Sequence, residues 1–239
     1  NPMQTLPSLE KFRKNCFVAL AEPFEHTATS AIADVVLPSA LWIEKEGVFG
    51  QTERRYQLIE KLLDPPGEAR SDLQILLDLA DRTEHGALLK ARTPEAVWKE
   101  WSEMSASSLY NFRGITYERL RKARGLQWPC PDTGHPGTKR RFVGGDDPNV
   151  TPGKKIEFYG RPGKKALIHL GAYVPVPEQT SKEYPLVLTT GRVLEQWHSG
   201  TITDRIPELA RASGRGRAHF HPQDARRLEL RTGNRVAPL

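Results

Sequence analysis

Two short apolar runs near the start of the chain most restrict its fold. Residues 16–21 read Cys-Phe-Val-Ala-Leu-Ala, and residues 34–38 read Asp-Val-Val-Leu-Pro. Runs without polar alternation are typical of strands that are buried on both faces. A short helix is predicted between them over residues 27–33. Strand, helix and strand in such short order indicate a parallel sheet of the doubly wound type.

Two acidic side chains stand at positions that suit either a ligand or the fold itself. Glu22 follows the first predicted strand, at the edge where doubly wound sheets bind ligands. Its carboxylate can accept hydrogen bonds from a guanine edge or a ribose hydroxyl, or it can cap the next helix. Ser71 is the predicted N-cap of a helix over residues 73–82, which places Asp72 in the first turn, where the macrodipole favours negative charge. That structural role alone would explain Asp72.

Composition excludes several classes of protein. The 239 residues are 38% apolar and carry a net charge of +6, and no apolar run approaches the roughly 20 residues that span a bilayer. The two cysteines, Cys16 and Cys130, are far apart in the sequence. A disulfide scaffold, a zinc finger and an iron–sulfur cluster held by this chain are therefore disfavoured. The basic clusters suit anionic ligands, but no recognition helix or zinc finger indicates a nucleic-acid partner.

No residue set has the spacing of a metal site. His26, His135 and His221 have no ligand-type neighbours at the usual spacing, so structural roles are predicted for them. Cys130 lies in a segment rich in proline and glycine, for which extended, irregular chain is predicted. We expect Cys130 to be structural, and we predict no catalytic and no metal-ligating residue in this chain.

The chemically richest stretch runs from Pro185 to Thr201. A predicted strand over residues 185–188 ends in Thr189-Thr190-Gly191-Arg192, which offers backbone N–H groups, hydroxyls and a guanidinium at one point. That combination suits a diphosphate or a planar heterocycle, although an ordinary loop after a strand has the same pattern. Arg192 can bind phosphate or pair with Glu195, and Trp197 can belong to a core or line a ligand.

This stretch resembles a known family. The string Thr-Gly-Arg-Val-Leu-Glu-Gln-Trp-His-Ser-Gly at 190–200, followed by Pro-Glu-Leu at 207–209, resembles the C-terminal cofactor-binding domain of the molybdopterin oxidoreductases. Within them it is most similar to the catalytic subunit of the nitrate reductases, the periplasmic type above all. A second matching string runs from Val36 to Arg55, with Gln51 where the family usually has Asn; by itself this charged segment could be a hairpin.

The resemblance implies a fold and a division into domains. It implies an α/β chain in which the end of a doubly wound Rossmann-like domain is followed by the first part of a double-psi β-barrel. Residues 1–175 would form the α/β domain with its irregular insert, including a strand pair predicted over residues 155–160 and 166–170. Residues 176–183 would be a linker and residues 184–239 the molybdopterin dinucleotide-binding barrel. Because the chain lacks an initiator methionine and stops partway through a predicted strand, we expect it to be the C-terminal portion of a longer polypeptide.

The resemblance also implies an activity. The resemblance to the nitrate reductases implies reduction of nitrate to nitrite at a molybdenum bis(molybdopterin guanine dinucleotide) cofactor, in nitrate assimilation or electron transport, with electrons arriving through a 4Fe–4S cluster. The cluster, the molybdenum ligand and the contact with the electron donor would lie outside this chain, so the isolated fragment is expected to be inactive. A periplasmic location is favoured over a cytoplasmic one. The alternatives are a formate dehydrogenase of the same superfamily and a non-catalytic cofactor-binding module.

The implied cofactor contacts fall into two groups. The first group is Glu22, Lys45 and Asp72, which match positions near one guanine dinucleotide, with Asp72 at the guanosine. The second group is a continuous run that matches a pterin and phosphate contact: Thr190, Gly191, Arg192, Val193, Leu194, Glu195, Gln196, Trp197, His198 and Ser199. In the second group His198 would donate a hydrogen bond to the cofactor and would not ligate the metal.

Overall fold

The structure is a computed structural model that describes residues 11, 13–143, 145–150, 168–198, 200–214 and 216–236. The described residues form two compact units, which divide between His169 and Leu170. Helices and strands are mixed along the chain, which confirms the expected combination of the two. The strand pair predicted over residues 155–160 and 166–170 lies almost wholly outside the described residues.

The first unit carries the strands and three of the α-helices. Its connections include three single 3₁₀ turns, at Ser30–Ile32, Trp42–Glu44 and Gly86–Leu88. In chain order its strands and helices are β1 (Ala19–Glu22), β2 (Val35–Pro38), β3 (Gly47–Gly50), β4 (Arg55–Ile59), α1 (Asp72–Asp81), α2 (Pro94–Met104), α3 (Tyr117–Lys122) and β5 (Leu126–Gln127).

Strands β1 and β2 pair in parallel, in register from Ala19 opposite Val35 to Glu22 opposite Pro38. The predicted parallel pairing is therefore confirmed. The prediction that both strands are buried on both faces is wrong, because exposed and half-exposed residues alternate along β1 and Leu37 in β2 keeps 36% of its surface exposed. The described residues cover these faces only in part.

The charged segment around Gly47 folds as an antiparallel hairpin. Strand β3 pairs with β4, and the two-residue strand β5 adds to the other edge of β4. Helix α2 packs against this sheet, and the amphipathic pattern of α2 supplies Trp98 to the core. The buried cluster is completed by residues that come later in the chain: Phe112, Ile115, Tyr117, Leu120 and Cys130.

The segment after β5 is irregular, as its proline and glycine content predicts, but it is densely bonded. The guanidinium of Arg54 donates to the backbone carbonyls of Trp128, Thr138 and Lys139. Arg119 donates in the same way to Gly114 at 2.6 Å and to His135 at 2.6 Å. Hydrogen bonds from side chains thus satisfy the backbone carbonyls of this segment, as hydrogen bonds between strands do in a sheet.

Cys130 and His135 have the structural roles that were predicted for them. The Cys130 side chain is fully buried, and burial raises the pKa of its thiol although Arg119 donates to the sulfur at 3.2 Å. The imidazole Nδ1 of His135 accepts from the Gly137 backbone N–H at 3.1 Å. Both cysteines are free thiols.

The second unit is more open. It contains helices α4 (Pro207–Ser213) and α5 (Pro222–Arg227) and a 3₁₀ turn at Thr203–Arg205. His221 is the N-cap of α5, and its Nδ1 accepts from the Gln223 N–H. The strand predicted over residues 185–188 is not formed. A strand needs a hydrogen-bonding neighbour, and no described segment of this unit supplies one. None of the described helices is long and apolar enough to be a membrane span.

Candidate functional site

The candidate site of the first unit lies at the carboxyl edge of the parallel strands. The backbone N–H of Ser39, just after β2, donates to the Glu22 carbonyl at 3.3 Å. On its other side, Ser39 forms a parallel bridge with Arg70, where the Arg70 N–H donates to the Pro38 carbonyl at 3.1 Å. The ends of β1 and β2 and the residues that lead into α1 are therefore neighbours, at the edge where such sheets bind ligands.

Lys45 and Asp72 meet beside this edge, although 27 residues separate them in the sequence. The Lys45 ammonium donates to the Asp72 carboxylate, and the side chains remain 29% and 57% exposed. Asp72 is the first residue of α1, and the Ser71 hydroxyl caps that helix by accepting from the Gln74 N–H at 3.2 Å. Asp72 therefore lies at the helix start, where the macrodipole favours negative charge, and in contact with a cation.

The carboxylate of Glu22 is hydrogen-bonded at one oxygen to the loop that follows β1. One carboxylate oxygen accepts from the Phe24 backbone N–H at 3.2 Å. The second oxygen makes no hydrogen bond with any residue that the structure describes, so a ligand donor could still reach it. Glu22 does not cap the next helical turn, Ser30–Ile32, because the N-cap of that turn is Thr29. The ligand role that the sequence left open remains compatible with this geometry.

A cleft of about 570 Å³ opens beside the Lys45 and Asp72 ion pair. Its size is that of sites that hold small ligands and cofactors. One wall is apolar and carries Val97, Trp98 and Trp101 of α2. The charged side chains around it are balanced, three of each sign: Glu44, Glu46, Asp72, Lys45, Lys61 and Arg70.

The run from Thr190 to Leu194 in the second unit is exposed. Leu194 keeps 97% of its surface accessible. Arg192 makes no hydrogen bond or ion pair with the described residues, so the alternative pair with Glu195 is not formed here. The guanidinium of Arg192 therefore remains available to an anion.

The following residues form an ordered turn. The Gln196 side-chain amide donates to Asp204 at 2.7 Å and to Ser213 at 2.8 Å, so its side chain serves the fold. Trp197 and His198 contact each other edge to face, with ring centres 4.7 Å apart, and Trp197 is 68% exposed. An exposed indole held by its neighbour suits contact with a ligand better than a core role. Ser199 lies outside the described residues.

Sequence reasoning assigned no cofactor role to Glu46 and Trp101, two other residues of the cleft. Trp98 and Trp101 are three residues apart on α2, but Trp101 is 51% exposed while Trp98 is 5% exposed. Glu46 is one of several charges in the same loop, and nothing in its spacing distinguishes it. Only the packing of α2 against the hairpin brings both residues to one cleft.

Comparison with known proteins identifies the class. Residues 1–82 match the family model of molybdopterin oxidoreductases, and residues 186–237 match that of the molydopterin dinucleotide binding domain. The two matches together cover more than half of the chain. The chain belongs to the molybdopterin oxidoreductase family, as the motif at residues 190–200 indicated.

Two relatives of the chain within this family are nitrate reductases. The chain is 42% identical over 241 residues to a nitrate reductase of Symbiobacterium thermophilum. It is 41% identical over 244 residues to a periplasmic nitrate reductase of Desulfovibrio desulfuricans. Each alignment covers 99% of this chain and 32% of the relative, so the chain spans about a third of the length of these relatives.

Proposed function

We propose that this chain is the cofactor-holding C-terminal part of a nitrate reductase that uses molybdenum bis(molybdopterin guanine dinucleotide). When bound, the cofactor supplies the two-electron reduction of nitrate to nitrite. The residues of this chain bind and orient it. Electrons reach it from a donor protein through a 4Fe–4S cluster carried by another part of the polypeptide. The likeness to the periplasmic enzyme of Desulfovibrio desulfuricans supports a periplasmic location.

The observation that carries the proposal is the ion pair between Lys45 and Asp72 beside the cleft. Both residues match family positions for a guanine dinucleotide, and they meet at an edge that also carries Glu22. A carboxylate can accept both N–H donors of a guanine edge, so the two carboxylates at this edge fit a guanine nucleotide. In this proposal, these three residues hold the guanosine end of the cofactor, and the run from Thr190 to Ser199 contacts its pterin and phosphates.

The fold that accompanies this proposal is the one the resemblance implies. Strands β1 and β2 would belong to a doubly wound Rossmann-like domain ending near residue 175, and residues 184–239 would begin a double-psi β-barrel after a linker at 176–183. The parallel register of β1 and β2 supports the first part. A barrel would give the run at residues 185–188 the neighbouring strand that it lacks among the described residues.

The test uses the whole protein that contains this chain. After purification it should contain molybdenum, release guanine nucleotide on acid hydrolysis, and reduce nitrate with reduced methyl viologen as donor. Turnover of formate in place of nitrate would assign it to the formate dehydrogenases. Bound cofactor without turnover of nitrate or formate would indicate the non-catalytic cofactor-binding module. Absence of molybdenum and of guanine nucleotide after expression with an intact cofactor pathway would contradict the proposal.

Substitution of Arg192 tests the role of the second unit. We expect Arg192→Ala to lower molybdenum content about tenfold, because a desolvated contact between guanidinium and phosphate contributes roughly 1.5 kcal/mol or more. The melting temperature of the cofactor-free protein should stay within about one degree, since Arg192 bonds to no described residue. The matched control is Arg211→Ala, whose exposed guanidinium pairs with Glu208 at 3.1 Å. Equal molybdenum content in both variants would contradict the role given to Arg192.

A further inference from the structure

Helix α2 has a second apolar face beside the one that packs on the hairpin. Val97, Trp101 and Met104 follow one another at spacings of four and three residues, so their side chains form one stripe along the helix. They keep 40%, 51% and 74% of their surface exposed. Trp98, which belongs to the core, lies about 100° further round the helix than Val97. We call Val97, Trp101 and Met104 the α2 stripe.

The middle of the α2 stripe is held in place by the core. Trp101 packs edge to face against Trp98 and Phe112, with ring centres 5.6 Å and 5.2 Å apart. An indole that is fixed on one side and open on the other loses little side-chain entropy when a partner covers it. The stripe is therefore a preorganised surface for packing.

Helix α1 shows the same arrangement. Its buried side chains are Leu77 and Ala80, whereas Leu76 and Leu79 are each 58% exposed. Single exposed apolar residues are ordinary, but apolar side chains that recur at helical spacing on a second side of two helices form a patch that a partner covers. Helices that are apolar on two sides fit between two layers of protein.

The size of the relatives indicates what the second layer is. Each alignment covers 32% of the relative, so about two thirds of each relative lies outside the part that this chain matches. A segment of the same polypeptide is held near the α2 stripe at a high effective concentration, whereas a separate protein loses translational and rotational freedom when it binds. The rest of the polypeptide is therefore the occupant that the stripe favours.

The charges beside the α2 stripe indicate the chemistry of that occupant. Glu100 and Glu103 flank the stripe on the side away from Trp98, and both are exposed. Neither makes a hydrogen bond or an ion pair within the part of the chain that the structure describes. Lys99 lies on the opposite side of the helix from the stripe. An acidic flank fits a partner with Lys or Arg beside its apolar face.

We propose that the α2 stripe docks an amphipathic helix from the part of the same polypeptide outside this chain, with basic side chains facing Glu100 and Glu103. A helix fits because the side chains of a helical stripe form ridges that pack into the grooves of a second helix. The proposal rests on the proposed function in taking this chain as one part of a longer reductase. Since Val97 and Trp101 also line the cleft, the docked helix borders the cofactor site.

Photocrosslinking in the whole protein tests the contact. Benzoylphenylalanine in place of Met104 should form, on irradiation, an intramolecular bond to a helical segment outside the 239 residues, which mass spectrometry of tryptic peptides identifies. The matched control has the same amino acid in place of Lys99 and should give no link to that segment. A link from position 104 to a second copy of the protein or to a separate protein would overturn the proposal.

Oxidation of Met104 measures its cover without any substitution. The thioether of Met104 in the native whole protein should form sulfoxide with hydrogen peroxide at least tenfold more slowly than in the same protein unfolded in urea, because the docked helix excludes the oxidant. A difference of less than tenfold would show that the stripe is open to water, and it would overturn the proposal.

Charge reversal tests the basic flank of the partner. Glu100→Lys should lower the melting temperature of the whole protein by about 2 °C or more, whereas Lys99→Glu on the opposite side of α2 should change it by less than about 1 °C. Reversal of the cation identified next to the crosslink, combined with Glu100→Lys, should restore at least half of the loss. Losses that simply add in the double variant would contradict the pairing of opposite charges.

The measurements keep this inference separate from the proposed function. Molybdenum content and nitrate reduction are determined on the same preparations of unsubstituted protein. A protein that contains molybdenum and reduces nitrate while Met104 is freely oxidised would keep the proposed function and overturn the docked helix. A protein with the intramolecular crosslink but without molybdenum would keep the docked helix and contradict the proposed function.

Discussion

At the scale of single residues, Tyr117 is the side chain whose polar group has the least support. It is 1% exposed, and its hydroxyl has no hydrogen-bond partner among the residues that the structure describes. Burial, together with the negative charges of Glu46 and Glu95, raises its pKa from 10.0 to about 12. The folded state therefore holds the neutral hydroxyl. The stability linked to this proton is fully present below pH 10, and it is lost as the pH rises from about 10 to 12, because the unfolded chain releases the proton first.

We expect Tyr117→Phe to stabilise the protein. Removing a buried hydroxyl without a partner should raise the free energy of unfolding by about 1 kcal/mol at pH 8. At pH 12 the gain should be larger by about 2 kcal/mol, since the variant has no proton to lose at this position. Urea unfolding of both proteins at the two pH values measures this difference. Tyr110→Phe, at a tyrosine that is 55% exposed, should change little, and a loss of stability in Tyr117→Phe at pH 8 would mean that the hydroxyl has a partner.

At the scale of elements, two helix caps of similar geometry differ in their relation to the cleft, which residues of α1 line and residues of α3 do not. Ser71 accepts from Gln74 N–H at 3.2 Å at the start of α1, and Thr116 accepts from Arg119 N–H at 3.3 Å at the start of α3. Each substitution by alanine should lower the free energy of unfolding by about 1 kcal/mol. Only Ser71→Ala should also weaken GDP binding, by about threefold, because fraying of the first turn of α1 displaces Asp72.

Chemical denaturation and GDP titration of both cap variants check this expectation. The stability loss is a general property of caps, so it should appear in both. If Thr116→Ala weakens GDP binding as much as Ser71→Ala does, the effect comes from overall stability and not from the position of Asp72. Equal GDP affinity in Ser71→Ala and the wild type would show that Asp72 does not need an ordered helix start.

The elements that the sequence predicted best are those whose signals are local. A cap followed by an apolar stripe predicted a helix over residues 73–82, and the helix spans Asp72–Asp81. The pairing of β1 with β2 followed from two apolar runs with a short connection between them. Residues 185–188 have an equally apolar pattern but form no strand, since the pattern cannot state whether a neighbouring strand exists.

What the sequence could not predict depends on contacts between distant residues. Arg54 reaches the Trp128 and Thr138 carbonyls, 74 and 84 residues further along, and no local pattern encodes such a bond. The same limit applies to the site. The resemblance named Lys45 and Asp72, whereas the place of Trp101 and Glu46 in the same cleft follows only from how α2 packs on the hairpin.

At the scale of the whole molecule, the two units differ in how much they bury. The first unit has an aromatic core around Trp98, Phe112 and Tyr117. In the described part of the second unit, Gly200 is the one buried residue. Because local opening costs least where few apolar contacts are lost, the second unit should open far more often than the first.

Hydrogen exchange followed by mass spectrometry should report this difference directly. Peptides covering residues 112–120 should exchange slowly, near the rate set by global unfolding, and peptides covering residues 170–194 should exchange within seconds at neutral pH, since their backbone is exposed and outside helices and strands. GDP should slow exchange around residues 44–48 and 97–101, which line the cleft, and leave residues 170–194 unchanged. Slow exchange of residues 170–194 without ligand would contradict the open second unit. Protection that appears there and not at the cleft would instead place the nucleotide on the exposed run that begins at Thr190.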